Sequence, residues 1–246
     1  MSKKRVSLTI DEGLLKRVDA EAEHKTLNRS QMFEEIIKSY VHSQEIDTAV
    51  IFCGGEEFRS LRQINGKPVL AHIVQHLKQH NISRIILLPG QNEQKIRNRF
   101  SWGEGLEIEY VSEENPSGTA AALQKLEEKV GKTFLAVNGD VLADVDVGDM
   151  LKVHREESRK ATMALTTVED TSEYGAVRLK GREILGFKEK PEPGEEPTKL
   201  VNAGTYIFEP LIFNELDDKA LDEVFESLAS EKQVTGYIYG GEWRRP

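Results

Sequence analysis

The chain has 246 residues, of which 38% are hydrophobic, and its 33 basic and 42 acidic side chains give a formal net charge of −9. These values fit one or two folded domains and argue against global disorder and non-specific coating of nucleic acid. No apolar run is long enough to span a membrane, and the N-terminus lacks the apolar core of a signal peptide. A single cysteine, Cys53, excludes an internal disulfide. We expect a cytoplasmic protein with no membrane partner.

Charge is distributed unevenly along the chain. Residues 1–45 hold eight basic and eight acidic side chains, so residues 46–246 carry the whole net charge of −9. This asymmetry suggests two modules with different partners. We therefore predict a domain at 1–45 and a second one at 46–246.

The first predicted element is a strand. Residues 5–10 alternate strictly between polar and apolar, which places Arg5, Ser7 and Thr9 together on one face. Arginine and short hydroxyl side chains can read base edges when a two-stranded ribbon enters the major groove of DNA. The pattern therefore indicates a polar reading face.

Two helices follow the strand. Asp11 is a candidate N-cap for the first, Asn28 and Gln31 fit a capping box at the start of the second, and Leu27 and Met32 fit a hydrophobic staple. One strand and two helices bury too little surface to be stable alone. We therefore expect a homodimer or a higher homo-oligomer in which the strand pairs with its copy.

The text KKRVSLTIDEGLLKRV followed by LNRSQMFEEIIKSYV resembles the ribbon-helix-helix DNA-binding domains of the MetJ/Arc repressor class. The resemblance implies a β-α-α fold that binds a double-stranded DNA operator. It implies that Arg5, Ser7 and Thr9 read bases, while Arg29 and Ser30 hold the phosphate backbone. A dimerisation unit with no DNA role is the alternative.

From Thr48 onward, strands and helices alternate. The predicted elements are a strand at 49–53, a helix at 68–80, a strand at 84–88, a helix at 92–100, a strand at 106–111, a helix at 118–130 and a strand at 134–138. This order indicates a mostly parallel sheet with helices on both faces, which binds ligands at the carboxyl ends of its strands. Further strands at 162–168, 175–179, 183–187 and 203–208 would extend the sheet and form a lid over the site.

The segments FLAVNGDVLADVDVGDMLKVH, YGAV, GFKEKP and VNAGTYIFEP together resemble the sugar-phosphate nucleotidyltransferase family. Members of that family join a sugar 1-phosphate to a nucleoside triphosphate and release pyrophosphate with Mg²⁺. The resemblance implies the family's α/β fold, a mixed, mostly parallel and Rossmann-like sheet sandwich. The expected fold class of the whole chain is therefore α/β, a ribbon-helix-helix followed by this domain.

The resemblance also implies the site residues. Asp140 matches the metal-binding aspartate, and a carboxylate at the end of a strand is a reasonable Mg²⁺ ligand. The other ligand-binding positions that the resemblance implies are Gly54 and Gly55 after the first strand, Arg59 near the position of the catalytic lysine, Gly118 against the nucleobase, and Gly175, Glu189, Lys190 and Asn202 around the sugar phosphate.

The sequence departs from the family pattern in two places. The family's long triphosphate loop, G-G-x-G-T-R-L, is shortened here to Gly54-Gly55 followed by Glu56 and Glu57. The family's W-x-D-x-G segment, which supplies a second metal-binding aspartate, here reads Trp-Arg-Arg-Pro over 243–246. Both changes weaken the positioning and charge neutralisation that phosphoryl transfer needs. On these grounds we expect a catalytically degenerate domain with no catalytic residue.

Three functions remain open. The first is a DNA-binding transcriptional regulator whose degenerate nucleotidyltransferase domain senses a sugar phosphate, sugar nucleotide or nucleotide. The second is an active sugar 1-phosphate nucleotidyltransferase with an added DNA-binding arm, and the third is a protein-interaction scaffold with a vestigial pocket. The shortened loop and missing aspartate favour the first over the second, and the retained site positions favour it over the third.

Overall fold

The computed structural model describes residues 4, 6–43, 45–54, 58–100, 105–112, 118–192, 194–195, 198–216 and 219–246, and only the backbone over 38–43. The chain divides into two compact units, Met1–Glu45 and Ile46–Pro246. Within the described residues, no helix combines the length and the hydropathy needed to span a bilayer.

The first unit contains the two expected helices, α1 (Glu12–His24) and α2 (Arg29–Ser43). The carboxylate of Asp11 caps α1 by accepting the Leu14 N–H at 3.0 Å. At the start of α2, the Asn28 N–H donates to the Gln31 side chain at 2.9 Å, and the Gln31 N–H donates to the Asn28 side chain at 3.0 Å. The predicted capping box is confirmed.

The core of this unit is small. Val18, Ala22 and Met32 are buried together, with Leu27 and Phe33 packed against them. Among the described side chains of this unit, five large apolar ones are exposed in a single copy: Val6, Leu8, Leu14, Ile36 and Ile37. The two helices therefore bury only part of the apolar surface that they carry.

The strand predicted at 5–10 is not formed in a single copy. Residues 6–10 belong to no hydrogen-bonded strand, and Arg5 lies outside the described residues. A strand exists only when its N–H and C=O groups bond to a neighbouring strand. The part of one copy that the structure describes provides no such neighbour for residues 6–10.

The second unit is built on strands. In chain order they are β1 (Thr48–Phe52), β2 (Gln63–Ile64), β3 (Lys67–Pro68), β4 (Arg84–Leu88), β5 (Glu107–Tyr110), β6 (Phe134–Asn138), β7 (Leu142–Ala143), β8 (Ala161–Thr167), β9 (Gly175–Lys180), β10 (Glu183–Glu189), β11 (Leu200–Phe208), β12 (Val234–Ile238) and β13 (Trp243–Arg244). Within the described residues, nine of them form one sheet in the order β5-β4-β1-β6-β11-β8-β12-β10-β9. Two short pairs, β2 with β3 and β7 with β13, lie apart from it.

The first half of this sheet is parallel, as expected. β1 pairs in parallel with β4 and β6, and β4 pairs in parallel with β5. The second half is mixed: β11 runs antiparallel to both β6 and β8. In addition, β9 pairs with β11 through Ala176 and Val201, so the strands β11, β8, β12, β10 and β9 close on one another.

Helices cover both faces of the sheet. They are α3 (Val69–Gln79), α4 (Glu93–Arg99), α5 (Thr119–Gln124), α6 (Val147–Glu157) and α7 (Leu221–Ser230). Side chains of β6 alternate between two buried clusters: Phe134 and Ala136 join the one that includes α5 and α7, and Leu135 and Val137 join the one that includes α3 and α6. Buried aliphatic residues on both faces are typical of parallel strands.

Candidate functional site

A cavity of about 830 Å³ lies where several elements of the second unit begin or end. Asn138 ends β6, Glu189 ends β10, Gly118 precedes α5, and Leu221 begins α7; all four line the cavity. Ligands of parallel α/β sheets bind beyond the carboxyl ends of the strands. The cavity lies at the edge of the sheet where that rule predicts a site.

The end of β6 carries Asn138, Gly139 and Asp140. The Gly139 N–H donates to the Phe52 carbonyl at 2.8 Å, and a Cβ on Gly139 would lie 2.7 Å from that oxygen. Only glycine lets the ends of β1 and β6 approach so closely. Asp140 follows at once, and its Oδ2 accepts a hydrogen bond from Nε of Arg245 at 3.1 Å.

A bulge in β11 fixes the side chain of Asn202. The register shifts between Asn202 and Tyr206, and Gly204 adopts a φ of +75°. The Asn202 side chain donates to the Tyr206 hydroxyl at 2.7 Å and accepts the Gly204 N–H at 2.9 Å. The amide is therefore held in place at the cavity wall before any ligand binds.

Glu189 and Lys190 lie at the end of β10. Burial raises the pKa of the Glu189 carboxyl. The positive charges of Lys190 and Arg245 lower this pKa, and the negative charge of Asp222 raises it. Lys190 has a φ of +41°, and its N–H donates to the Tyr174 carbonyl at 3.0 Å. A left-handed backbone costs a residue with a side chain about 1–3 kcal/mol, and such strain is concentrated at functional sites.

Gly175 opens β9 directly behind these two residues. A Cβ placed on it would lie 2.3 Å from Cζ of Phe187 and 2.9 Å from Oε2 of Glu189. Real Cβ atoms essentially never come so close to another heavy atom. The missing side chain of Gly175 therefore leaves room for the Glu189 carboxylate.

The structure brings together most of the residues predicted to bind the ligand. Gly118, Glu189, Lys190 and Asn202 line the cavity. Gly175 is next to Glu189. Asp140 is hydrogen-bonded to Arg245, and the positive charge of Arg245 lowers the pKa of Glu189. Gly54 and Arg59 are not among the described residues that line the cavity, and Gly55 lies outside the described residues.

Several residues of the site were missed by sequence reasoning. Asn138, Phe187, Tyr206, Lys219 and Asp222 also line the cavity. Asn138 ends the predicted strand 134–138, at the edge of the sheet where ligands were expected, although it was not named as a binding residue. Lys219 and Asp222 lie around the start of α7, a helix that was not predicted, and no signal pointed to them.

The residues expected to contact DNA lie in the first unit. Ser7, Thr9 and Ser30 are exposed, and Arg5 lies outside the described residues. Arg29 forms a two-point ion pair with Asp19, with both N···O distances at 2.7 Å. Arg29 is therefore paired within the chain, and its contact with a DNA phosphate stays a prediction.

Asp140 is the only residue predicted to bind a metal. Among the described residues, no three His, Cys, Asp or Glu side chains converge on a common point. Mg²⁺ in nucleotide sites is held by one or two carboxylates together with substrate phosphates. One carboxylate at the end of β6 is therefore enough to fit the protein's share of such a site, although its Oδ2 is already bonded to Arg245.

Comparison with known proteins covers most of the second unit. The family model described as "Nucleotidyl transferase" matches residues 59–243. Mannose-1-phosphate guanylyltransferase of Mycobacterium tuberculosis is 30% identical over 189 residues, covering 73% of this chain and 52% of the relative. The catalytic subunit beta of the same enzyme from Danio rerio is 30% identical over 196 residues, covering 75% of this chain and 54% of the relative. The chain thus spans about half the length of the curated relatives it matches.

The solved structures give the same fold. The crystal structure of a UDP-glucose pyrophosphorylase complexed with UDP-glucose matches with a TM-score of 0.71 at 19% identity, covering 80% of this chain and 92% of that one. The expected nucleotidyltransferase-type α/β fold of the second unit is confirmed. The family match begins at residue 59, so the ribbon-helix-helix of the first unit stays a prediction.

The expected function is contradicted by these findings. The matched relatives are named as transferases, and their names favour the alternative, a nucleotidyltransferase, over a catalytically silent sensor. Nothing in the comparisons supports transcription regulation or a DNA partner. The regulator hypothesis was wrong because it gave more importance to the shortened loop and the lost aspartate than to the site that the rest of the domain retains. With its family model matched over 59–243, the chain belongs to the nucleotidyl transferase family.

Proposed function

We propose that this protein is an active sugar 1-phosphate nucleotidyltransferase. A phosphate oxygen of the sugar 1-phosphate attacks the α-phosphorus of a nucleoside triphosphate, the bond from that phosphorus to the bridging oxygen breaks, and pyrophosphate leaves. The observation that supports the proposal is the shared cavity, whose lining residues include Lys190, Glu189 and Gly118.

Each residue has a role that follows from its chemistry. Lys190 is an exposed point charge suited to the sugar phosphate, and Glu189 and Asn202 offer groups that hydrogen-bond to sugar hydroxyls. Gly118, with a φ of +105° and no side chain, allows a flat nucleobase to approach the backbone closely. Asp140 would hold Mg²⁺ together with the nucleotide, and the ion would neutralise phosphate charge.

Turnover of defined substrate pairs tests this proposal. Purified full-length protein with Mg²⁺ is incubated with each nucleoside triphosphate and each of several hexose 1-phosphates, beginning with GTP and mannose 1-phosphate, the pair that the names of the relatives suggest. We expect one pair to give a nucleotide sugar and pyrophosphate at about 1–10³ per second, the ordinary range for enzymes. Absence of nucleotide sugar from every pair, measured by chromatography against a protein-free control, would refute the proposal.

We further infer that the first unit associates with a second copy of the chain. Val6 is 74% exposed, Leu8 60% and Ile37 53%, so this small unit leaves large apolar side chains open to solvent both before α1 and on α2. A unit of this size also has too small a core to be stable alone. Pairing of residues 5–10 with their copy would cover Val6 and Leu8.

The oligomeric state checks this inference. Sedimentation at micromolar concentration should show at least a dimer for the wild type and a shift toward monomer for Leu8→Glu, because a charge at an apolar contact disfavours association. Leu211→Glu is the matched control, since Leu211 is 58% exposed on the second unit and should leave the wild-type assembly intact. A monomeric wild type would contradict the inference.

A further inference from the structure

The side chain of Arg245 is hydrogen-bonded to Asp140, the one carboxylate predicted to bind a metal. Its Nε lies 3.1 Å from Oδ2 of Asp140, and the two side chains are 27% and 25% exposed, so the pair is largely withdrawn from solvent. A charge-assisted hydrogen bond with this degree of burial is stronger than a surface ion pair.

The backbone brings Arg245 to this position. Strand β13 pairs antiparallel with β7, in the register Trp243 to Ala143 and Arg244 to Leu142. β7 begins two residues after Asp140, and Arg245 follows the end of β13. Because the two strands are antiparallel, this pairing brings Arg245 close to Asp140. Strand pairing thus fixes the backbone position of Arg245, so its place beside Asp140 does not depend only on the rotamer of a long side chain.

Further contacts hold the same segment. Nη1 of Arg245 donates to the Glu173 carbonyl at 3.4 Å, and the guanidinium lies 5.7 Å from the centre of the Tyr174 ring. Trp243 packs edge-on against Tyr174 at 5.2 Å, and its indole N–H donates to the Ala203 carbonyl at 3.1 Å. Arg245 therefore remains beside Asp140 in the ligand-free protein.

We propose that Arg245 excludes divalent cations from Asp140 until a phosphate ligand draws the guanidinium away. The guanidinium occupies one acceptor site of the Asp140 carboxylate, and its positive charge, 3.1 Å from Oδ2, repels a dication that approaches the same group. The planar guanidinium also matches phosphate oxygens, so phosphate is a competing partner that can release Asp140. The proposal relies on the proposed function only for the identity of that phosphate, as part of a nucleotide or sugar phosphate.

Binding of Mn²⁺ alone, followed by the electron paramagnetic resonance signal of the free ion, tests the proposal without substrate. We expect Arg245→Ala to bind Mn²⁺ about 10- to 100-fold more tightly than the wild type, the factor for removing a hydrogen bond to a charged group. Arg245→Gln, which keeps a donor but loses the charge, should fall between the two. Circular dichroism confirms that each variant is folded.

Two controls make the result specific. Arg244→Ala removes the neighbouring arginine, which is 62% exposed and pairs with Glu242, and should bind Mn²⁺ like the wild type. Adding Asp140→Asn to Arg245→Ala should abolish the gain. Equal Mn²⁺ affinity in the wild type and Arg245→Ala, or a gain that survives Asp140→Asn, would overturn the proposal. Because no turnover is measured, this outcome is independent of whether the protein proves to be a transferase.

Discussion

Replacing Lys190 with alanine should lower kcat/KM for the sugar 1-phosphate by about 100- to 1,000-fold, the loss seen when one group that stabilises developing charge is removed from a site. The residue lines the cavity, and its left-handed backbone is held by the hydrogen bond from its N–H to the Tyr174 carbonyl. The substitution removes the side-chain charge and leaves that backbone bond in place. Steady-state kinetics with the substrate pair found by the activity screen measures the effect.

The same strand provides a matched control. Lys188 lies two residues earlier, on β10, and it pairs with Glu195; neither of these two residues lines the cavity. Lys188→Ala should keep wild-type kinetics, and Lys190→Arg should recover part of the loss because it retains the charge but not the compact ammonium. If Lys188→Ala and Lys190→Ala behave alike, Lys190 is not the residue that binds the phosphate.

The helix starts in the first unit were predictable because capping is local. Asn28 and Gln31 are three residues apart, and their two reciprocal hydrogen bonds are decided within one turn. Residues 6–10 of the predicted strand form no strand in one copy because a strand depends on a partner elsewhere. Alternation in the sequence indicates which face could be buried, but it does not provide the neighbouring strand.

The parallel half of the second unit was likewise predictable. Strands such as β1 and β4 are short apolar runs bounded by breakers, and helices separate them along the chain. The helices α6 and α7 and the strand β12 were missed, and with them Lys219 and Asp222 at the start of α7. Predicted helix 118–130 was also too long, since α5 ends at Gln124.

The pairing of Arg245 with Asp140 could not have been predicted from local pattern. It depends on the register of β13 against β7, two-residue strands that are far apart in the chain and have no periodicity of their own. Sequence reasoning correctly noted that an arginine had replaced an acidic residue after Trp243. The carboxylate that accepts its hydrogen bond is known only from the folded structure.

Replacing Gly175 with alanine should disrupt binding of the sugar while leaving the nucleotide side of the cavity unaffected. The added Cβ would lie 2.3 Å from Cζ of Phe187, 2.6 Å from its Cε2 and 2.9 Å from Oε2 of Glu189, so the ring and the carboxylate must both move. Overpacking of this kind destabilises a protein by about 1–3 kcal/mol. The displaced Glu189 carboxylate is then no longer positioned to hydrogen-bond to the sugar hydroxyls.

The kinetic signature separates this effect from general damage. We expect KM for the sugar 1-phosphate to rise by about tenfold or more, the factor that corresponds to about 1.4 kcal/mol. KM for the nucleotide should change little, because Gly118, proposed to lie against the nucleobase, is on a different element. Gly186→Ala on the adjacent strand β10 is the control, since its Cβ would meet only the Arg178 side chain, at an ordinary 3.9 Å. Thermal unfolding of both variants shows how much of the change is lost stability. A Gly175→Ala protein that is stably folded and keeps the wild-type KM for the sugar phosphate would mean that Glu189 does not contact the sugar.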